Sequence, residues 1–265
     1  MNDIFLDPDV AEGEGLKGLE GLEEMAAELA EELESVECQK LSYTQLLCTS
    51  RVIFAALTAM MSCLAYCVFE PTLSLRMEDY GLSQTYQGLI FAIMPLMYMV
   101  GTFMTPYAVP RWVEIRVTLI IGMIMLSLSM ILVGPFFEEK NLTVMLIGLF
   151  LTGSFLGPTI IPNMAEMMFA TKRAFPTSDL EHANSLLSGM LSCCYGAGQA
   201  AGPLLGSILY QVLGFRWMCD ISAAIVLAFA ICYFCCCQGC EAFSTTCKNY
   251  RRRHRKLSVI EQITD

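Results

Sequence analysis

At 265 residues the chain could fill one or two soluble domains, but 55% hydrophobic and 16% charged residues argue against that class, where about a quarter of residues are charged. The net charge of −10 is concentrated: residues 1–49 carry Asp3, Asp7, Asp9 and ten glutamates against Lys17 and Lys40, a local −11, and the remainder sums to +1. The acidity therefore belongs to an N-terminal segment and excludes nothing about the ligands of the body.

Residues 1–46 read as an acidic cytoplasmic tail, partly helical or disordered. Leu16, Leu19, Leu22, Met25, Leu29 and Leu33 recur at three- and four-residue steps among glutamates and alanines, the spacing of one helical face. That face is either a solvated acidic helix or a helix docking on basic residues such as Arg111, Arg116, Lys172 and Arg173. Six apolar runs follow within 47–237, near 47–70, 86–109, 116–135, 142–165, 184–211 and 215–237, each long enough to cross a bilayer core. The first starts far from Met1 behind acidic residues, unlike a cleaved signal peptide. In this run Pro71 is expected to bend the helix rather than end it, with helix continuing to about Met77. The third run, mostly Ile, Leu and Met, is expected to be the more peripheral one. The fourth and fifth are rich in glycine and proline, which membranes tolerate where neighbours or water satisfy freed backbone groups.

Lysine and arginine placement orients the bundle, because basic loops stay cytoplasmic. Arg111, Arg116, Lys172, Arg173 and the cluster Arg251–Arg253 with Arg255 and Lys256 fall on one side; Arg76, Lys140 and Arg216 fall on the other. Both termini are therefore expected in the cytoplasm, with Trp112 and Trp217 at headgroup level. Residues 238–265 form a Cys-rich, basic cytoplasmic tail; Cys240 and Cys247 within it, and Cys235–Cys237 just before it, lie beside basic residues and suit S-acylation. A helix end rich in small apolar residues explains them equally well. Ser258 follows Arg255 and Lys256 like a basophilic kinase site, although a plain exposed serine accounts for it better. Asn141-Leu142-Thr143 matches a glycosylation sequon but lies too close to the next helix to be expected in use.

The thirteen cysteines sit mostly in or beside apolar runs, with no secreted domain to staple. His182 and His254 lack metal-ligand spacing. Phosphate loop, dinucleotide fingerprint and nucleophile elbow are all missing. The reading is therefore not an enzyme, with no cofactor, no metal and no nucleic-acid partner; the lipid bilayer is the first partner.

Several motifs occur in order: Phe69-Glu70-Pro71-Thr72-Leu73-Ser74-Leu75, Gly88-Leu89-Ile90-Phe91, Ile160-Ile161-Pro162 with Glu166, Gly202-Pro203-Leu204-Leu205-Gly206, and Gly214-Phe215-Arg216-Trp217. From about Arg51 to Tyr233 this set resembles the C-terminal half, helices seven to twelve, of the vesicular amine transporter family within the major facilitator superfamily. It is most like the vesicular polyamine transporter branch. The resemblance implies an all-α membrane protein of six transmembrane helices, half of a major facilitator fold. Helices one to six have no counterpart in the chain, so the resemblance implies a truncated chain, pairing with another transporter half, or lost transport.

By the same resemblance the function is secondary active transport. The expected reaction is proton-coupled export of small organic cations such as polyamines into an acidic organelle. The alternative is a non-transporting membrane protein that pairs with a full-length transporter or lipid. Glu70 is the principal site candidate. In the family an acidic residue before this proline is associated with proton coupling and cation binding, and a carboxylate in the bilayer needs a partner, water or a proton. Nineteen residues at a 1.5 Å rise put it about 28 Å from Arg51, so an interfacial glutamate is the competing reading. Glu166 is a second pathway candidate near the cytoplasmic end, with an interfacial reading at least as strong. Tyr66, with Tyr98 and Tyr195, offers aromatic faces for an ammonium group. Pro71, Pro158, Pro162, Gly202, Pro203 and Gly206 are expected to act structurally or in gating. The acidic residues of the monoamine branch would fall near Gly157 and Ser192, which carry no charge, so a monoamine substrate does not fit.

Overall fold

The structure, a computed structural model, describes residues 41–109, 113–134, 141–176, 179–237, 239, 241–249 and 251. The acidic tail, Arg111, Trp112, Lys140, Arg252–Lys256 and Ser258 lie outside the described residues.

A short helix α1 (Tyr43–Cys48) leads in, opened by Ser42, whose backbone N–H donates to Gln45 Oε1 at 3.1 Å. The first membrane span, Ser50–Asp79, is 30 residues long and so about 45 Å. It consists of α2 (Ser50–Cys67) and α3 (Glu70–Asp79). Pro71 has no N–H to give to the carbonyl four residues back. The helix nevertheless continues because Val68 and Phe69 stay right-handed helical and Leu73 N–H reaches Phe69 O at 2.9 Å. The expected bent continuation is present and runs two residues past Met77. Gly81, at φ 69°, then reverses the chain, a conformation glycine adopts without a Cβ clash.

Next come α4 (Gln84–Ala108), α5 (Ile115–Val133), α6 (Leu142–Ile160) and α7 (Pro162–Ala174). The pair α6–α7 forms one 33-residue span, Leu142–Ala174, longer than its apolar run. Asp179 opens α8 (Leu180–Leu213) by accepting from Glu181 N–H at 3.0 Å and His182 N–H at 3.5 Å. Gly214, at φ 85°, turns α8 into α9 (Phe215–Cys236), and a last helix α10 covers 241–249.

Helix α2 lies at the centre, against α8 on one flank and α6 and α7 on another; α6 is sandwiched between α4 and α5, and α9 covers α5 and α8. The main core joins Phe69, Leu73, Met123, Met130, Met145 and Leu149. Several polar side chains inside the bundle bond one another or a backbone carbonyl. Ser127 Oγ donates to Ala223 O at 2.8 Å, tying α5 to α9, and Thr152 Oγ1 reaches Ser129 Oγ at 3.0 Å, tying α6 to α5.

One expectation needs correction. The third helix is not peripheral: Arg116–Ile120, Gly122, Met123, Leu126, Ser127, Ser129, Met130 and Val133 of α5 are buried, whereas most of α4 is exposed. Apolarity alone does not separate a lipid-facing helix from one packed between helices. Among the described residues, five helices are by themselves both long and apolar enough to cross a membrane. The remaining long helix, α8, has the length at 34 residues, but its glycines, serines and Gln199 lower its apolarity.

Candidate functional site

The break before Pro71 places Glu70 at the start of α3, one turn beyond Tyr66 and two beyond Cys63 on the same side. All three line a cavity of 570 Å³, closed across from them by Tyr98 of α4, Leu156 and Ile160 of α6, and Tyr195 and Gln199 of α8. That volume suits a small organic molecule. Glu70 is exposed into this space and, among the described residues, has no ion-pair partner. Nine helical residues follow it to Asp79, about 13 Å, so the helix continues well past the carboxylate. Tyr195 is held in place by donating from its hydroxyl to Ile160 O at 3.4 Å. Carboxylate, amide and three phenol rings around one cavity can receive an ammonium group by charge and by ring faces.

Glu166 lies apart from this cavity. It is 1% exposed and pairs with Arg51, whose Nε donates to Oε1 at 2.5 Å and whose side chain is 22% exposed. Beside this pair, at the Arg51 end of the bundle, Arg116 bonds Cys237 O at 3.0 Å through one terminal nitrogen and Glu114 Oε2 at 2.7 Å through the other. The structure thus separates the two acidic candidates.

The glycine and proline candidates cluster where helices touch. A Cβ on Gly202 would fall 2.7 Å from Cys67 Cβ, and one on Gly198 or Gly206 would strike the carbonyl oxygen of Met60 or Val68. Helix α8 can therefore lie directly on the α2 backbone, which brings Tyr195 and Gln199 to the cavity. On the other flank, a Cβ on Gly157 would fall 2.5 Å from Gly101 carbonyl carbon, so α6 and α4 meet backbone to backbone. Pro158 is inside α6, Pro162 begins α7 and Pro203 is inside α8.

A family model described as Major Facilitator Superfamily matches residues 55–256, from the middle of α2 to beyond α10. The chain belongs to the major facilitator superfamily. It is also similar to the MFS-type transporter SLC18B1 of Mus musculus, 28% identical over 164 residues, which are 60% of this chain and 35% of that protein. Against SLC18B1 of Homo sapiens it is 27% identical over 175 residues, 64% of this chain and 38% of the relative. The chain spans little more than a third of the curated relatives it matches. The family is one of multi-pass membrane transporters rather than enzymes.

In this major facilitator chain, two features of the site were not read from the sequence. Gln199 lines the cavity four residues after Tyr195; an amide inside a glycine-rich run was the available signal. The Arg51–Glu166 pair joins residues 115 positions apart, and no local spacing announces it.

Proposed function

We propose that the chain forms one half of a secondary active transporter exchanging protons for organic cations, polyamines among them, into an acidic organelle. The observation that supports this reading is the placement of Glu70, Tyr66, Tyr98, Tyr195 and Gln199 around one cavity, with Glu70 free of any ion-pair partner among the described residues. A lone carboxylate in a membrane interior must be neutralised. A proton and an ammonium group can each do so, but not together. Occupancy by one excludes the other, and alternating exposure of the site to the two sides then gives exchange. The open side of the cavity suits a second six-helix half, since such transporters hold substrate between halves that rock about a midplane site.

Orientation follows from charge. Arg51, Arg116, Lys172, Arg173, Lys248 and Arg251 belong to one end of the bundle and only Arg76 and Arg216 to the other, among the described residues. The Arg51 end is assigned to the cytoplasm.

The test is Glu70→Gln in the transporter that contains both halves, reconstituted with an imposed pH gradient. Proton-driven cation uptake is expected to vanish while the protein stays in the membrane. Uptake at the original rate and pH dependence would make Glu70 an ordinary polar residue and overturn the exchange mechanism proposed here.

A further inference from the structure

The end of α9 carries a second cluster that transport does not use. Cys232, Cys235 and Cys236 are exposed, whereas Cys219 and Cys237 are buried. Cys232 and Cys236 sit one turn apart with sulfurs 3.9 Å from each other, on one side of α9. Past Cys237, a Cβ on Gly239 would lie 2.7 Å from Phe234 O, which leaves room there only for glycine. Helix α10 is anchored by Glu114 N–H donating to Thr246 Oγ1 at 3.1 Å and by Phe243 meeting Phe234 edge-on at 5.9 Å. Ala242 faces inward, while Phe243, Cys247, Lys248 and Arg251 are exposed. Phe243 and Cys247 are four residues apart in α10 and share one side.

This end of the molecule therefore presents open thiols at the terminus of a membrane span, an exposed aromatic ring and basic side chains, the combination that holds an acylated segment at an anionic membrane surface. We propose that Cys235 and Cys236 are S-acylation sites that carry long-chain fatty acyl thioesters. The sulfur attacks the thioester carbonyl of a fatty acyl-coenzyme A, a new carbon–sulfur bond forms, and the coenzyme leaves as its thiol with the proton the cysteine gives up. The acyl chains then enter the bilayer beside α9 and pin the turn into α10. Cys237 is excluded because it is packed inward, and the same burial pushes its thiol up to about 11, which leaves little of the nucleophilic thiolate at neutral pH. The site rests on the cytoplasmic assignment of the Arg51 end, where acyl-coenzyme A is found, and not on transport.

The experiment is metabolic labelling of the full chain in cells with an alkyne fatty acid, followed by hydroxylamine release of thioesters. Wild type is expected to carry hydroxylamine-sensitive label, Cys235→Ser/Cys236→Ser to lose most of it, and Cys237→Ser to keep it. Glu70→Gln is also expected to stay labelled, so a failure of the transport reading leaves this one standing. An unlabelled wild type, or a double serine variant that keeps most of its label, would overturn the proposal.

Discussion

At the residue scale, Arg51 and Glu166 show how an ion pair behaves when most of it is withdrawn from water. Glu166 is 1% exposed and its partner 22%, so each charge is tolerated chiefly through the other. The two are not equivalent when one is removed. A carboxyl left alone can take up a proton, but a guanidinium cannot give one up. Glu166→Ala is therefore expected to lower stability by roughly 3 kcal/mol, the low end for breaking a buried pair because Arg51 keeps some access to solvent. Arg51→Met should cost less. Thermal unfolding of the purified protein in detergent checks both, and Arg51→Met combined with Glu166→Ala should recover part of the larger loss.

At the element scale, the contact between α2 and α8 depends on side chains that are missing. Gly198, Gly202 and Gly206 fall at four-residue steps and face the α2 backbone, while Gly196, two positions away, has nothing within 4 Å of where its Cβ would be. Alanine should separate the two cases. Gly198→Ala must push the helices apart and is expected to cost about 1–3 kcal/mol, as overpacking does. Gly196→Ala gains helix propensity and is expected to be neutral or slightly stabilising. Melting temperatures of the two variants, measured side by side, decide this. If Gly198→Ala melted no lower than Gly196→Ala, the helices would not be in the close contact described here. The same displacement would move Tyr195 and Gln199 away from Glu70.

At the scale of the whole molecule, the helices order the charged residues by side. Cys48 precedes α2 and Cys247 belongs to α10, both exposed, whereas Gly81 turns the chain at the far end of the first span. In sealed vesicles, a membrane-impermeant maleimide is expected to reach single cysteines at 48 and 247 from the same face and a cysteine placed at 81 from the opposite face. Equal access to all three from one side would sink the topology. The molecule also lies open where Glu70, Tyr98 and Gln199 meet the cavity, so completion by a second set of helices is a geometric requirement of the transport proposed above.

What the sequence by itself determined was the class of the protein and the order of its parts. Hydrophobic runs and basic loops are local quantities set by the cost of placing backbone and charge in lipid, and they mark the spans without knowledge of neighbours. The continuation through Pro71 was legible for the same reason, since no helix-ending residue follows until Asp79. The four-residue step from Tyr66 to Glu70 likewise puts them on one side by helical spacing alone. Tertiary structure decided which faces meet. It buried the uniformly apolar α5, left most of α4 exposed, and seated the less apolar α8 directly on α2. It drew Glu166 to Arg51 and away from Glu70, and it brought Tyr98, Tyr195 and Gln199 to one cavity. Each of these depends on where a distant helix comes to rest, which the spacing within a single helix does not encode.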